Sequence, residues 1–276
     1  MLPMTASPAA TESSAGERLR AWRTRRRLSQ MEVALTAGVS PRHLSFIETG
    51  RARASAEVLV ALAEVLQMPL RERNALLLAA GFAPRYPQTP LDAPGLAAMR
   101  NAVARVLDAH DPYPGVALDR HWNIVLANAA AQRMVGVLPP SLAHTQPLNI
   151  FRIGLHPQGM AAHTANFGEW GGYMLRELQR LAETSLDPTL QALLDEVQSW
   201  PNVAALRARP APAPADELIV QCVLMHRTQG HGTQRLSMFT TLATFGSPRD
   251  VTLAELTVEL FYPADAATEA ALRAMA

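Results

Sequence analysis

The chain contains no lysine, so all 25 of its basic residues are arginine. Only one cysteine is present, Cys222, inside the apolar stretch IVQCVLM. A lone cysteine excludes any intrachain disulfide and fits a reducing, cytoplasmic setting; in this context it reads as a buried strand residue rather than a nucleophile. No apolar run approaches the roughly 20 residues that a bilayer-crossing helix needs, so no membrane segment is expected. Residues 1–14, MLPMTASPAATESS, have neither a basic start nor an apolar core and are expected to form a disordered tail rather than a secretion signal. Catalytic signatures are missing as well. There is no HExxH, no GxSxG, no GxGxxG and no GxxxxGK[ST], and His156, His163, His226 and His231 do not fall at a metal-binding spacing. The expectation is no catalytic residue, no metal and no cofactor. What remains is 276 residues with 49% hydrophobic and 18% charged content, the profile of a globular chain long enough for two domains.

The net charge of +1 hides an asymmetry. Residues 16–54 carry nine arginines against three glutamates, which leaves the rest of the chain net acidic. A basic head on an acidic body suits a nucleic-acid-binding unit joined to a partner domain. Taken alone, Arg25-Arg26-Arg27 reads as a solvated helix face; its neighbours change that reading. The stretch Leu28 to Arg53, LSQMEVALTAGVSPRHLSFIETGRAR, has the order helix, glycine turn, helix. Helix 1 is expected from about Gly16 to Arg27, with Leu19 and Trp22 on its apolar face. Helix 2 starts after the N-cap Ser29 and ends at Gly38. Helix 3 has Ser40 as N-cap and Pro41 at its first position, where a missing N–H costs nothing. Two further helices are expected at Ser55–Gln67 and Arg71–Ala80, closed by Gly81.

At 100° per residue helix 3 has two faces. Leu44, Ile47 and Glu48 share one side, and Arg42, Ser45, Phe46 and Thr49 the other, with His43 on the flank. The second side suits base readout. Arg42 can take a guanine bidentately, Ser45 is a short hydrogen-bonder, and Phe46 can meet a thymine methyl or, alternatively, a partner helix. Arg42, Ser45 and Phe46 are therefore the candidate base-reading residues; Ser40, Pro41 and His43, at the start of the same helix, complete the candidate DNA-binding set. Arg51 and Arg53, just beyond, are candidate phosphate contacts.

The pattern LSQ, GVS and IETGR followed by SAEVLVALAEVLQM resembles the lambda-repressor/Cro-type helix-turn-helix, the xenobiotic-response-element family. The resemblance implies that Gln30, opening helix 2, anchors a phosphate, and that Pro41, Arg42, Ser45 and Phe46 touch bases. It also implies that an arginine of helix 1, here Arg23, pairs with a glutamate at the end of helix 3, here Glu48.

After the head (15–82) comes a Pro-rich stretch, 83–95, expected as a linker. The body, 96–268, is expected to open with a helix at Leu96–Ala109 and a hairpin of Gly115–Leu118 and Trp122–Ala127. A helix from Asn128 follows, then helices at Trp170–Ala182 and Pro188–Ser199 and an Ala-Pro loop at 208–215. Strands are expected at Glu217–Arg227, Gln234–Phe245 and Glu255–Tyr262, the first two joined by the Gly-rich turn TQGHG. The fold class is thus α+β multidomain: an all-α five-helix head and a PAS-like α/β body with an antiparallel sheet.

DRHWNIVLANAAA, NIFRIGLHPQG, NFGEW and TTLATFGSPRDVTLAELTVELFYPAD resemble the ligand-binding domain of MmyB-like transcription regulators. That resemblance implies a PAS-like domain that can lodge a long-chain fatty acid. Such a ligand needs an elongated apolar site and one polar group for its carboxylate. Apolar candidates are Trp122, Phe151, Phe167, Trp170, Met174, Met238 and Phe239, for each of which core packing is the other reading. Polar candidates are Asn128, His156 and Arg152. Arg152, flanked by Phe151 and Ile153, is the first choice for the carboxylate, with an internal salt bridge as its other reading. Together these features describe a cytoplasmic bacterial regulator, a homodimer on double-stranded DNA with a pseudo-palindromic operator, whose body senses a small amphipathic lipid. The alternative is a body that serves only as an interaction or dimerisation module.

Overall fold

The computed structural model describes residues 13–136, 138–185, 187–207, 219–228 and 232–276. Most of the N-terminal tail, the Ala-Pro loop at 208–215, the start of the strand expected from Glu217 and the centre of the Gly-rich turn lie outside the described residues. The described residues fall into two compact units. The first ends at Thr89 and also takes in Ser247–Ala254; the second comprises Pro90–Gly246 and Glu255–Ala276.

The first unit holds five helices: α1 (Ala15–Arg25), α2 (Gln30–Thr36), α3 (Pro41–Glu48), α4 (Ala56–Val65) and α5 (Leu70–Ala79). Serines start four of them. Ser14 and Ser29 form reciprocal capping boxes with Glu17 and Glu32, and Ser40 and Ser55 cap α3 and α4. Each supplies an oxygen to an N–H that the helix leaves unpaired. Gly38, with φ of +72°, makes the turn between α2 and α3 at a backbone position that a side chain would strain. The core is built on Leu19, Leu44, Ile47, Leu59, Leu62 and Leu76, all buried. α1 and α3 meet so closely at Gly16 that a Cβ there would lie 2.4 Å from the Ile47 carbonyl oxygen.

The Pro-rich stretch expected as a linker is, in its first half, fastened to this unit. Asn74 on α5 accepts the N–H groups of Arg85 and Tyr86 at 3.0 Å and donates to the Tyr86 carbonyl at 2.7 Å. A short helix, α13 (Val251–Ala254), belongs here too. Asp250 caps it and accepts the Thr89 N–H at 3.1 Å, while the Val251 N–H donates to the Pro87 carbonyl at 2.8 Å. Proline content suggested a linker at the domain boundary; the side chain of Asn74 and the buried Asp250 hold the backbone groups that proline leaves available.

The second unit begins with one 3-10 turn (Pro94–Leu96) leading into α6 (Ala97–His110). Then come β1 (Gly115–Leu118), β2 (Ile124–Ala127), α7 (Ala129–Val135), α8 (Pro140–Ala143), α9 (Ile150–Leu155), α10 (Phe167–Ser185), α11 (Pro188–Gln198) and α12 (Pro201–Arg207). It closes with β3 (Cys222–Thr228), β4 (Gly232–Thr244), β5 (Thr257–Pro263) and α14 (Ala266–Ala274). The five strands form one antiparallel sheet in the order β2-β1-β5-β4-β3, the hairpin, helices and three returning strands expected of the PAS-like body. α12 and α14 were not expected. α14 is alanine-rich and buries only Thr268, Ala271 and Leu272, too weak a stripe to announce a helix from periodicity; Asp265 starts it by capping the Thr268 N–H.

Register divides the sheet into two faces. Val116 pairs with Glu259, Glu259 with Leu242, Thr240 with Phe261 and Cys222 with Met238, so these residues point the same way. The opposite face, through Ala117 and Val258, packs with Val103 and Leu107 of α6.

Candidate functional site

In the first unit the residues expected to read DNA lie on and beside α3. Leu44 and Ile47 are buried in the core, and Glu48 is 6% exposed. Arg42 and Thr49 are exposed, while Pro41, His43, Ser45 and Phe46 are half-buried. The Arg42 guanidinium lies 5.3 Å from the Phe46 ring centre, so the pair presents a planar cation backed by an apolar face. Ser40 accepts the His43 N–H at 3.1 Å, fixing the start of the helix. Arg51 and Arg53 are exposed just past its end.

Behind this surface Arg23 donates from Nε and Nη2 to the two Glu48 carboxylate oxygens at 2.6 and 2.8 Å. Gln30 donates to Glu48 Oε2 at 2.8 Å. Burial works to raise the Glu48 pKa, but the hydrogen bonds from Arg23 and Gln30 and the arginine charge outweigh it and hold the carboxyl below its ordinary range. Glu48 therefore ties α1, α2 and α3 together. An amide has two hydrogens, and the bond to Glu48 uses one of those of Gln30. The basic run of α1 is also structured. Arg25 lies 4.7 Å from the Trp22 ring centre, and Arg26 donates to the carbonyls of Leu66 and Gln67 at 3.1 Å, closing the end of α4.

In the second unit one sheet face and the helices across from it surround a cavity of about 640 Å³, within the size range of small-molecule sites. Val116, Met238, Leu242 and Phe261 line it from the sheet, and Ile153, Trp170 and Met174 from α9 and α10. Trp122 enters from the β1–β2 turn with φ of +66°, a left-handed conformation that is rare and costly for a bulky residue. The turn is over-determined. Asp119 Oδ1 accepts the N–H groups of His121 and Asn123, Asn149 donates to the His121 carbonyl at 2.8 Å, and the Trp122 carbonyl accepts the Ile150 N–H. These bonds hold the indole against Phe151, with ring centres 5.2 Å apart.

Residues 99–275 match the MmyB-like transcription regulator ligand binding domain. The chain belongs to this family. Residues 14–76 match a helix-turn-helix domain, so this MmyB-like protein is a transcription regulator with a DNA-binding head and a ligand-sensing domain. Both are regulator domains rather than enzyme families. No curated protein matches the chain. Among the described residues, no helix is long and apolar enough to cross a membrane.

Of the expected ligand residues in the MmyB-like domain, Trp122, Phe151, Trp170, Met174, Met238 and Phe239 all line the cavity. Asn128, Arg152, His156 and Phe167 do not. Asn128 is the buried N-cap of α7, and its amide also donates to the carbonyls of Leu107 and Tyr113. Arg152 is held bidentately by Glu196 at 2.8 and 2.7 Å, the internal salt bridge rather than the carboxylate anchor. His156 packs edge-on to Trp200, and burial lowers its pKa against the charge of Glu196. Phe167 packs over Gly171, where a Cβ would come within 2.6 Å of its ring.

Polar cavity residues that sequence reasoning missed are Tyr173, Glu177, Thr240 and Glu259. Burial pushes the Glu259 carboxyl up to about 7, against a hydrogen bond from Thr240 that works to lower it. Burial pushes the Cys222 thiol up to about 12, which keeps it protonated and unreactive at neutral pH. In TVELFYP, Glu259 alternates with Val258 and Leu260, and alternation normally assigns such a residue to solvent. Only the helices laid across that face make it a cavity residue.

Proposed function

We propose that the protein is a cytoplasmic, bacterial, homodimeric regulator that binds a pseudo-palindromic operator through α3 and answers to a single-chain amphiphile held in the cavity. The observation that carries this reading is the apolar cavity of about 640 Å³ in the family's ligand-binding domain, in the same chain as a helix-turn-helix. Gln30, Ser40, Pro41, Arg42, His43, Ser45 and Phe46 form the DNA-reading set, with Arg51 and Arg53 on phosphates. One recognition helix reads only a few base pairs, so two half-sites about one helical turn apart supply the remaining specificity. A long-chain fatty acid, the ligand implied by the family resemblance, satisfies the apolar part of the cavity through its chain. Its carboxylate has no arginine or histidine partner among the described lining residues.

Extraction of the purified protein and mass spectrometry test the ligand half of the reading. A co-purifying long-chain amphiphile in near-stoichiometric amount is expected. Delipidated and reloaded protein should then differ about 5- to 150-fold in operator affinity, the usual span of allosteric coupling. Light scattering of the full chain should give twice the monomer mass. An empty cavity, together with unchanged DNA affinity after incubation with amphiphiles, would instead favour a body that acts as an interaction module.

A further inference from the structure

We propose that a smaller cavity beside the large one seats the head group of the amphiphile. The head is a compact anion such as a carboxylate, paired with Arg133 and His226, while the apolar chain runs into the large cavity. This rests on the reading of the large cavity as a ligand site and specifies where the charge of its occupant goes.

The second cavity has a volume of about 330 Å³. Pro114, Met134, Met160 and Leu224 line both cavities and so form the partition between them. Strand register carries one wall from the first to the second. Cys222, Leu224 and His226 alternate onto one face of β3, opposite Met238, Leu236 and Gln234 of β4. Cys222 and Met238 line the large cavity, Leu224 stands in the partition, and His226 lines the small cavity. An isolated bridge between Thr164 and Leu224 sets a 3-10 turn (Met160–His163) against β3. That turn gives Met160 to the partition and His163 to the small cavity, as α7 gives Met134 to the partition and Arg133 to the small cavity. Two of the four partition residues are methionines, unbranched and with three rotatable bonds. Room for one alkyl chain therefore needs a side-chain rotation rather than a backbone movement.

The small cavity has a dry floor and a wet rim. Leu224, Leu236 and Leu272 are buried, whereas Arg133 and His163 are exposed and His226 is half-buried. No aspartate or glutamate stands among its described lining residues. The acids nearby are engaged. Asp111 accepts the Ala130 N–H at 3.2 Å, and Glu269 accepts from Tyr113 and from Arg273. Asp111 Oδ1 lies 3.7 Å from Arg133 Nη2, beyond hydrogen-bond reach, so the donors of the guanidinium are not consumed by it. A carboxylate at this rim can take two parallel bonds from Arg133 and one from a ring N–H of His226. It also stays partly hydrated, which spares it the desolvation cost of a fully buried ion, while its chain leaves water. The large cavity offers apolar length without an arginine or histidine among its described lining residues, and the small one places those groups next to it.

The test titrates the delipidated full chain with sodium dodecanoate and with dodecanol, each below its micelle or solubility limit, by calorimetry at neutral pH. The acid is expected to bind at least about tenfold more tightly than the alcohol, as charge-assisted pairing requires. The double variant Arg133→Gln, His226→Gln should lose that preference, while its dodecanol affinity, which reads the intact apolar cavity, stays unchanged. A second measurement uses the wild-type chain labelled with 15N-histidine. The ring signals of His226, assigned with the single variant His226→Gln, should move with the acid and not with the alcohol. A double variant that keeps the preference for the acid, or no acid-specific movement of the His226 signals, overturns the head-group seat. Equal affinity of the wild-type chain for acid and alcohol overturns it too, while supporting the amphiphile-sensor reading. Binding of neither overturns both.

Discussion

Replacing Glu259 by glutamine keeps the shape of the side chain and removes its charge, which isolates the energetic cost of the buried acid. In the folded, ligand-free chain the carboxyl stands at about 7, against 4.5 when solvated. Between those values the folded state holds a proton that the unfolded state has lost, so stability falls as pH rises through this window. Each pH unit of difference corresponds to about 1.4 kcal/mol, so the wild-type body should lose about 3 kcal/mol between pH 4.5 and pH 7 through this group. Above pH 7 the loss stays constant. The figure is an upper bound, because water entering the cavity solvates the carboxylate. Glutamine carries no such term. Urea unfolding of both proteins, stripped of lipid and followed by tryptophan fluorescence from pH 4 to pH 8, should show equal stability at the acid end. At pH 8 the glutamine chain should be ahead by up to about 3 kcal/mol. Reading the difference between the two chains cancels the titration of all other groups. Equal stability at pH 8, or a less stable glutamine chain, would refute the claim that Glu259 is buried at a cost.

Four further outcomes follow from named contacts. Glu48→Ala leaves the Arg23 guanidinium without its partner and should cost the head about 3–5 kcal/mol by chemical denaturation; because the Glu48 pKa is depressed, the stability it supplies should fade as pH falls through its folded value. Gly16→Ala drives a Cβ to within 2.4 Å of the Ile47 carbonyl oxygen and 2.9 Å of the Glu48 carbonyl oxygen. Both are backbone atoms that cannot swing away, so a loss of about 1–3 kcal/mol is expected in the melting of the head. Arg42→Ala should cost about 1–3 kcal/mol at one operator position, whereas Arg51→Ala should weaken all duplexes alike and reduce the salt slope by about one, both measurable by fluorescence anisotropy. Arg152→Ala, which breaks a part-exposed pair with Glu196, should cost no more than about 1 kcal/mol and leave amphiphile affinity where it was; a large loss of affinity would bring Arg152 back as the head-group anchor.

The five helices of the head were legible because their signals are local. Ser29 and Ser40 cap within three residues, and Gly38 and Gly81 end helices where they stand; Ser14, expected in a disordered tail, instead caps α1. The two faces of α3 also follow from 100° per residue, so Leu44 and Ile47 could be separated from Arg42 and Phe46 before any contact was known. In the body, the family resemblance and apolar character singled out Trp122, Phe151, Met174 and Met238 as ligand candidates with core packing as the other reading, and the fold brings all four to one cavity.

What the linear chain by itself determined, then, was the identity of the helices of the head and of the strands of the body, which rest on interactions spanning a few residues. The tertiary structure alone decided where the charges of the body go. Arg152 and Glu196 are 44 positions apart and form a pair that no local pattern announces. Glu259 looks like a solvent-facing strand residue until α10 and the β1–β2 turn cover its face and leave Oε2 without a partner. An ionised side chain is placed by whichever partner the fold brings within hydrogen-bond reach, and that distance exists only after the chain has closed on itself.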